Sequence, residues 1–122
     1  MILTHRYLPR ACVITIAGEV DSTTSGRLET YIDQVRRRLG EHLVIDATRL
    51  AFLDSSGLAV LLAAAALTRA AGADVHLAGP RPRVTRILEI TGTHRAMSVH
   101  DHMTQALAAI ERHGDADSPA SA

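Results

Sequence analysis

The spacing of apolar and polar positions changes period several times along this chain, and each change marks an element. Ile2 to Leu8 and Ala11 to Ala17 are runs rich in β-branched and apolar residues, joined by Pro9-Arg10. So short a connection predicts an antiparallel hairpin. Gly18 is expected to end the second strand, and residues 19–25 form a polar loop dense in helix-capping side chains. The period then becomes helical. Leu28, Tyr31, Ile32, Val35 and Leu39 fall at i, i+3, i+4, i+7 and i+11 on one apolar face. Arg27, Glu29, Asp33, Arg36 and Arg37 take the other faces, with Asp33 and Arg37 spaced for an i,i+4 pair. Arg36-Arg37-Arg38 suit the last turn of this helix, where cations match the dipole, and Gly40 supplies its stop.

His42 to Ala47 reads as a third strand, and its consecutive apolar residues suggest a central position covered on both faces. Residues 48–53 are expected to be a connecting loop anchored by Leu50 and Phe52. Asp54-Ser55-Ser56-Gly57 then opens a helix running from Gly57 to about Ala71, with Gly72 closing it. Ala73 to Ala78 is the fourth strand. Pro82 begins another helix, whose inner positions are Val84, Ile87, Leu88 and Thr91 and whose end is Gly92. Met97-Ser98-Val99 fits a short edge strand, and Asp101 fits the cap of a last helix with Met103, Leu107 and Ile110 inward. Residues 114–122, small and polar with a proline, are expected to be a disordered tail behind a single domain of residues 1–113. Strand and helix alternate from residue 11 onward. The pattern predicts an α/β fold: a mixed β-sheet with an N-terminal antiparallel hairpin, packed by four α-helices.

Composition narrows the function. A chain of 122 residues, 47% of them apolar, can bury a modest core. The formal net charge is zero, so nucleic acid is not the expected partner. All thirteen basic residues are arginine, which we read as coding bias. The Arg36–Arg38 cluster has no aromatic neighbours and makes a poor nucleic-acid footprint. Cys12, the sole cysteine, lies in an apolar strand and fits a buried structural thiol in a reducing compartment. The longest apolar run, Leu58 to Leu67, is too short for a bilayer, and no charged leader precedes an apolar signal core. A cytoplasmic protein is expected, without membrane attachment.

The stretch Asp54-Ser55-Ser56-Gly57 holds the candidate chemistry. All three polar residues suit a helix N-cap, so one reading is that one caps and the others are incidental. The other reading is that one serine accepts a phosphoryl group, which adds about −1.5 to −2 charges. A helix N-terminus tolerates that charge, whereas a protein interface does not. Phosphorylation could therefore switch association without disturbing the fold. In the following helix Leu58, Leu61, Leu62 and Ala65 make a face suited to the sheet, while Ala59, Ala63, Ala66 and Ala70 make a second, small and flat one. A helix apolar nearly all round is buried or partly covered by a partner, and a partner surface is favoured here; the alternative is that the alanines only serve helix propensity. Catalysis is poorly supported: there is no Gly-x-Ser-x-Gly elbow and no Gly-rich phosphate loop. His100-x-His102 is too sparse a pattern for a metal site, and His76 fits a hydrogen-bonded core histidine.

Asp54-Ser55-Ser56-Gly57-Leu58 resembles the signature of STAS-domain anti-sigma factor antagonists. Gly18-Glu19-Val20-Asp21 with Thr24 is similar to the family's Gly-Glu-hydrophobic-Asp-x-x-Thr element. Gly79-Pro80 with Val84, Leu88 and Thr91-Gly92 resembles its third-helix segment, so the likeness spans about residues 2 to 112. The resemblance implies a STAS-like sheet and a binding protein with neither catalysis nor cofactor of its own. It implies that Ser55 is phosphorylated by an anti-sigma factor serine kinase of the histidine-kinase-like ATPase type. The unphosphorylated form would bind that kinase and free the sigma factor, and a phosphoserine phosphatase would restore binding. Asp21 and Thr24 match the loop element at the binding face, Asp54 the acid beside the acceptor, and Ser56 and Gly57 the rest of the turn. With them, the alanine face carrying Ala59 and Ala63 is the expected docking surface. A STAS module with another role, as a scaffold or a small-ligand sensor, is the alternative, and a serine hydrolase or phosphotransferase using Ser55 is a third.

Overall fold

The computed structural model describes residues 1–116. Strand β1 (Ile2–Leu8) pairs antiparallel with β2 (Ala11–Val20), and β2 pairs parallel with β3 (His42–Asp46). β3 pairs parallel with β5 (Val75–Ala78), and β5 with β6 (Ser98–His100) at the far edge. The sheet order is β1-β2-β3-β5-β6, with β4 (Leu50–Leu53) paired to β2 off this path. The expected antiparallel hairpin, the central β3 and the edge strand before the last helix are all present.

Three helices cover one face of the sheet. Leu28 and Ile32 of α1 (Ser25–Val35), Leu58, Leu61 and Ala65 of α2 (Ser55–Ala70), and Val84 and Leu88 of α3 (Pro82–Thr91) pack on Ile14, Ile16, Leu43, Ile45, Val75 and Leu77. Cys12 is buried in the same layer, and burial pushes its thiol up. Among the described residues the other face carries only α4 (Met103–Ala116), seated through Ala106 and Ile110 on Ala11, Val13, Val44 and Ala78. The α4 helix runs on through Ala116, into the stretch expected to be a disordered tail. Residues 117–122 of that stretch lie outside the described residues.

Several boundaries differ from the sequence expectation, each for a tertiary reason. β2 does not stop at Gly18. Gly18 adopts φ +103°, a conformation open to glycine, and the register shifts there. This bulge lets one strand pair with β3 through residues 11–15 and with β4 through residues 18–20. Residues 50–53, expected to be loop, are therefore a strand. The α1 helix ends at Val35, before Arg36-Arg37-Arg38, and Leu39 is exposed. Glu41, only 1% exposed, accounts for this. It accepts from the Arg37 backbone N–H at 2.9 Å, from Nε at 2.9 Å and from a terminal guanidinium nitrogen at 2.7 Å, so Arg37 pairs with Glu41 and not with Asp33. Arg37 also donates to the carbonyls of Leu8 and Ala11, tying the hairpin to the start of β3. Arg36 donates to Thr68 at 2.7 Å, bridging α1 to α2. At the start of α4, Asp101 makes no cap; Gln105 reaches back to the His102 backbone N–H at 3.1 Å.

Candidate functional site

Two segments meet at the ends of β2 and β4. Val20 pairs with Leu53, and the Asp54 N–H donates to the Val20 carbonyl at 3.2 Å, so the loop after β2 and the first turn of α2 lie side by side. The loop is folded by Asp21. Its carboxylate accepts from Thr23 Oγ1 at 2.6 Å, from Thr23 N–H at 2.9 Å and from Thr24 N–H at 3.2 Å. These bonds, the Thr23 hydroxyl first, hold the Asp21 carboxyl below its ordinary value. Thr24 accepts from the Asp21 N–H at 2.9 Å and directs its hydroxyl toward Asp21 and the Glu19 carbonyl, both at 3.2 Å. The loop is thus internally satisfied and presents Ser22 and Thr23 outward.

The first turn of α2 divides its three polar residues among separate tasks. Asp54, not a serine, is the N-cap. Its carboxylate accepts from the Ser56 N–H at 2.9 Å, the Gly57 N–H at 3.2 Å and the Ser56 hydroxyl at 2.5 Å. The Ser56 hydroxyl is the main cause that holds the Asp54 carboxyl low, while nearby Asp21 opposes it. Gly57 is required by packing: a Cβ there would stand 2.4 Å from Leu53 Cδ1 and 2.8 Å from Val20 Cγ1. Ser55, the first helical residue, is exposed, and its hydroxyl has no hydrogen-bond partner among the described residues.

This arrangement changes the electrostatic account given by the sequence. The Ser56 and Gly57 N–H groups that could have cradled a phosphate on Ser55 are already taken by Asp54. A phosphate on Ser55 would project into solvent beside the Asp54 and Asp21 carboxylates and would gather negative charge at this corner.

Ala59, Ala63, Ala66 and Ala70 are exposed. At about 100° per residue they share one side of α2 with Ser55. Leu62 was expected to face the sheet but is 39% exposed, and Leu67 is 52% exposed. The sheet takes Leu58, Leu61 and Ala65, while Val60 and Ala64 turn toward α1. The exposed face is therefore more apolar than its alanines alone suggested. Sequence spacing could not place Leu62, because a helix with apolar residues on every side offers no contrast. Of the residues singled out in the sequence, Asp21, Thr24, Asp54, Ser55, Ser56 and Gly57 gather at one corner. Ala59 and Ala63 continue from it along α2. Four of the histidines, His42, His76 and His100 of the sheet and His113 of α4, cluster away from this corner, while His102 is exposed.

The sheet carries a helix capped by Asp54 whose first residue, Ser55, is exposed with its hydroxyl unpartnered among the described residues. Residues 4–106 match the STAS domain, and the chain belongs to that family. It is 32% identical over 100 residues to the anti-sigma F factor antagonist of Paenibacillus polymyxa, covering 81% of this chain and 86% of that protein. Among solved structures, an anti-sigma factor antagonist from Mycobacterium paratuberculosis superposes with a TM-score of 0.77 at 26% identity, covering 90% of this chain and 93% of that one. The antagonist SpoIIAA shares the fold at 20% identity. Its unphosphorylated form gives a TM-score of 0.74 over 90% of this chain and 96% of its own, and its phosphorylated form from Bacillus gives 0.68 over 89% and 99%.

Proposed function

We propose that this protein is an anti-sigma factor antagonist whose association with an anti-sigma factor kinase is switched by phosphorylation of Ser55. The observation that carries this reading is the division of labour at the first turn of α2. Asp54 and Ser56 bond each other, while the Ser55 hydroxyl alone is exposed and uncommitted. The names of the relatives, antagonists of anti-sigma factors, support the same reading. In the switching step Ser55 Oγ attacks the γ-phosphorus of ATP held by the kinase. The bond to the β-phosphate oxygen breaks, ADP leaves, and the hydroxyl proton passes to a base on the kinase. A phosphatase returns the serine by hydrolysis to inorganic phosphate.

The switch works by charge at an interface. The exposed apolar side of α2, with Ala59, Leu62, Ala63 and Ala66 below Ser55, is the surface offered to the partner, and the Asp21–Thr24 loop flanks it. A dianion at its head would be desolvated without a countercharge in the complex, which costs several kcal/mol. In the free protein the same dianion stays hydrated.

The test is phosphorylation by candidate anti-sigma kinases with ATP, with the phosphate located by mass spectrometry. Modification at Ser55 is expected; modification only at Ser98 or Ser118, or no modification by any candidate kinase, counts against this reading. Ser55→Ala should bind the kinase like the wild type and Ser55→Asp much more weakly. Equal binding by both would remove the charge switch.

A further inference from the structure

The face of the sheet beneath α4 is built unlike the face beneath the other helices. His42 of β3, His76 of β5 and His100 of β6 form a row of imidazoles across neighbouring strands. His42 and His76 meet edge to face at 5.5 Å, and His76 and His100 stack at 5.3 Å. His113 of α4 closes on His42 at 4.6 Å. The rest of the layer is Ala11, Val13, Val44 and Ala78 against Ala106 and Ile110, with Leu8 and Met103 packed beside them. Histidine rings therefore adjoin the apolar seat of α4, with His113 in direct ring contact with His42.

The hydrogen bonds of this row require His42, and at least one of His76 and His100, to be uncharged. His42 Nδ1 accepts from the Asp74 backbone N–H at 3.1 Å, so a second ring proton there would set one donor against another. His76 Nδ1 and His100 Nε2 lie 3.1 Å apart, a bond that needs one of the two nitrogens to be bare. His76 is 4% exposed, and its Nε2 is buried without a partner, so a proton added there finds no acceptor. The charged groups facing the row are mostly cations: Arg10 from the hairpin turn toward His42, and Arg112 of α4 toward His100. Among the described residues, Asp74 is the carboxylate that faces His42 and His76.

We infer that α4 is a pH-gated helix, held on the sheet while this histidine row is uncharged and released when protons enter it. Three of the rings titrate low, consistent with this packing. Burial, then His42 and His100, holds His76 at about 4. Burial, then His113 and Arg10, lowers His42, and burial, then Arg112, lowers His100. Released, the rings take up protons near the ordinary value of 6.5. Docking is therefore full above about 6.5 and weakens as pH falls toward the folded values. The apolar seat of α4 is small, so it opens before the layer holding α1, α2 and α3.

Hydrogen exchange on the full chain tests this, followed by mass spectrometry between about pH 7.5 and pH 5 and corrected for intrinsic rates. Protection of residues 103–113 should fall below about pH 6.5, by roughly tenfold per pH unit for each proton taken up, while α1 and α2 keep theirs. Protection of α4 that is unchanged at about pH 5, or lost together with that of α2, overturns the inference. His76→Leu should make the fall shallower by about one proton, and an unaltered slope would also count against it. Histidine-labelled NMR of the wild type reads the gate directly. His42 and His76 should protonate in step with α4 exchange. If they protonate near their ordinary value while α4 stays protected, the row is not the gate.

Discussion

Gly57→Ala and Gly26→Ala are the same chemical change at the starts of two adjacent helices, and they should move stability in opposite directions. Around Gly57 the added methyl would stand 2.4 Å from Leu53 Cδ1, 2.8 Å from Val20 Cγ1 and 3.3 Å from Val20 Cβ. Neither neighbour can yield toward solvent, because Val20 and Leu53 are fully buried. Val20 is also β-branched and stiff about its first torsion. Overpacking of this kind costs about 1–3 kcal/mol, and the helix propensity gained from glycine to alanine offsets at most about 1 kcal/mol. A net loss of roughly 1–2 kcal/mol lowers the melting temperature by about 3–8 °C in a domain of this size. A methyl on Gly26 meets nothing within 4 Å. Propensity alone then acts, and a gain of about 0.5–1 kcal/mol is expected. Thermal and urea unfolding of both variants beside the wild type read these differences. Because the methyl at Gly57 pushes the first turn of α2 off the strand ends, the phosphorylation proposed for Ser55 should slow in that variant and stay unchanged in Gly26→Ala. If Gly57→Ala is as stable as wild type, or both variants shift together, the tight seat of α2 on Val20 and Leu53 is wrong.

Three further outcomes follow from the same geometry. Asp54→Ala should lower the melting temperature more than Asp54→Asn, which keeps a capping oxygen. The Asp54 carboxyl is held below its ordinary 3.8, so its stabilisation is present above that value and is lost as pH falls through the folded one; the melting difference between wild type and Asp54→Ala should shrink on acidification. Leu62→Ser should change stability by no more than about 0.5–1 kcal/mol, the side chain being 39% exposed, yet weaken the proposed kinase binding at least about tenfold in a titration calorimeter. Glu41→Ala should destabilise far more than Arg38→Ala in urea unfolding. It removes a buried carboxylate that holds Arg37 in three hydrogen bonds, whereas Arg38 is exposed.

Much of this protein is written locally. The β-branched runs and the turn at Pro9-Arg10 determine the hairpin, because short connections permit little else. The helical spacing of Leu28 and Ile32, and of Val84 and Leu88, determines which sides of α1 and α3 face the sheet. The order Asp-Ser-Ser-Gly before an apolar run marks the start of α2, because capping depends only on residues within one turn. Other features depend on residues far apart in the chain. That Gly18 is a bulge and not a strand end follows from β4 arriving beside it. That α1 stops at Val35 follows from Glu41 claiming Arg37 against the hairpin. Leu62 faces outward because the sheet and α1 had already filled the other sides of α2, a competition that periodicity does not record. Local chemistry could nominate three polar residues at one turn, but only the packed structure decided that Asp54 and Ser56 bond each other and leave Ser55 exposed.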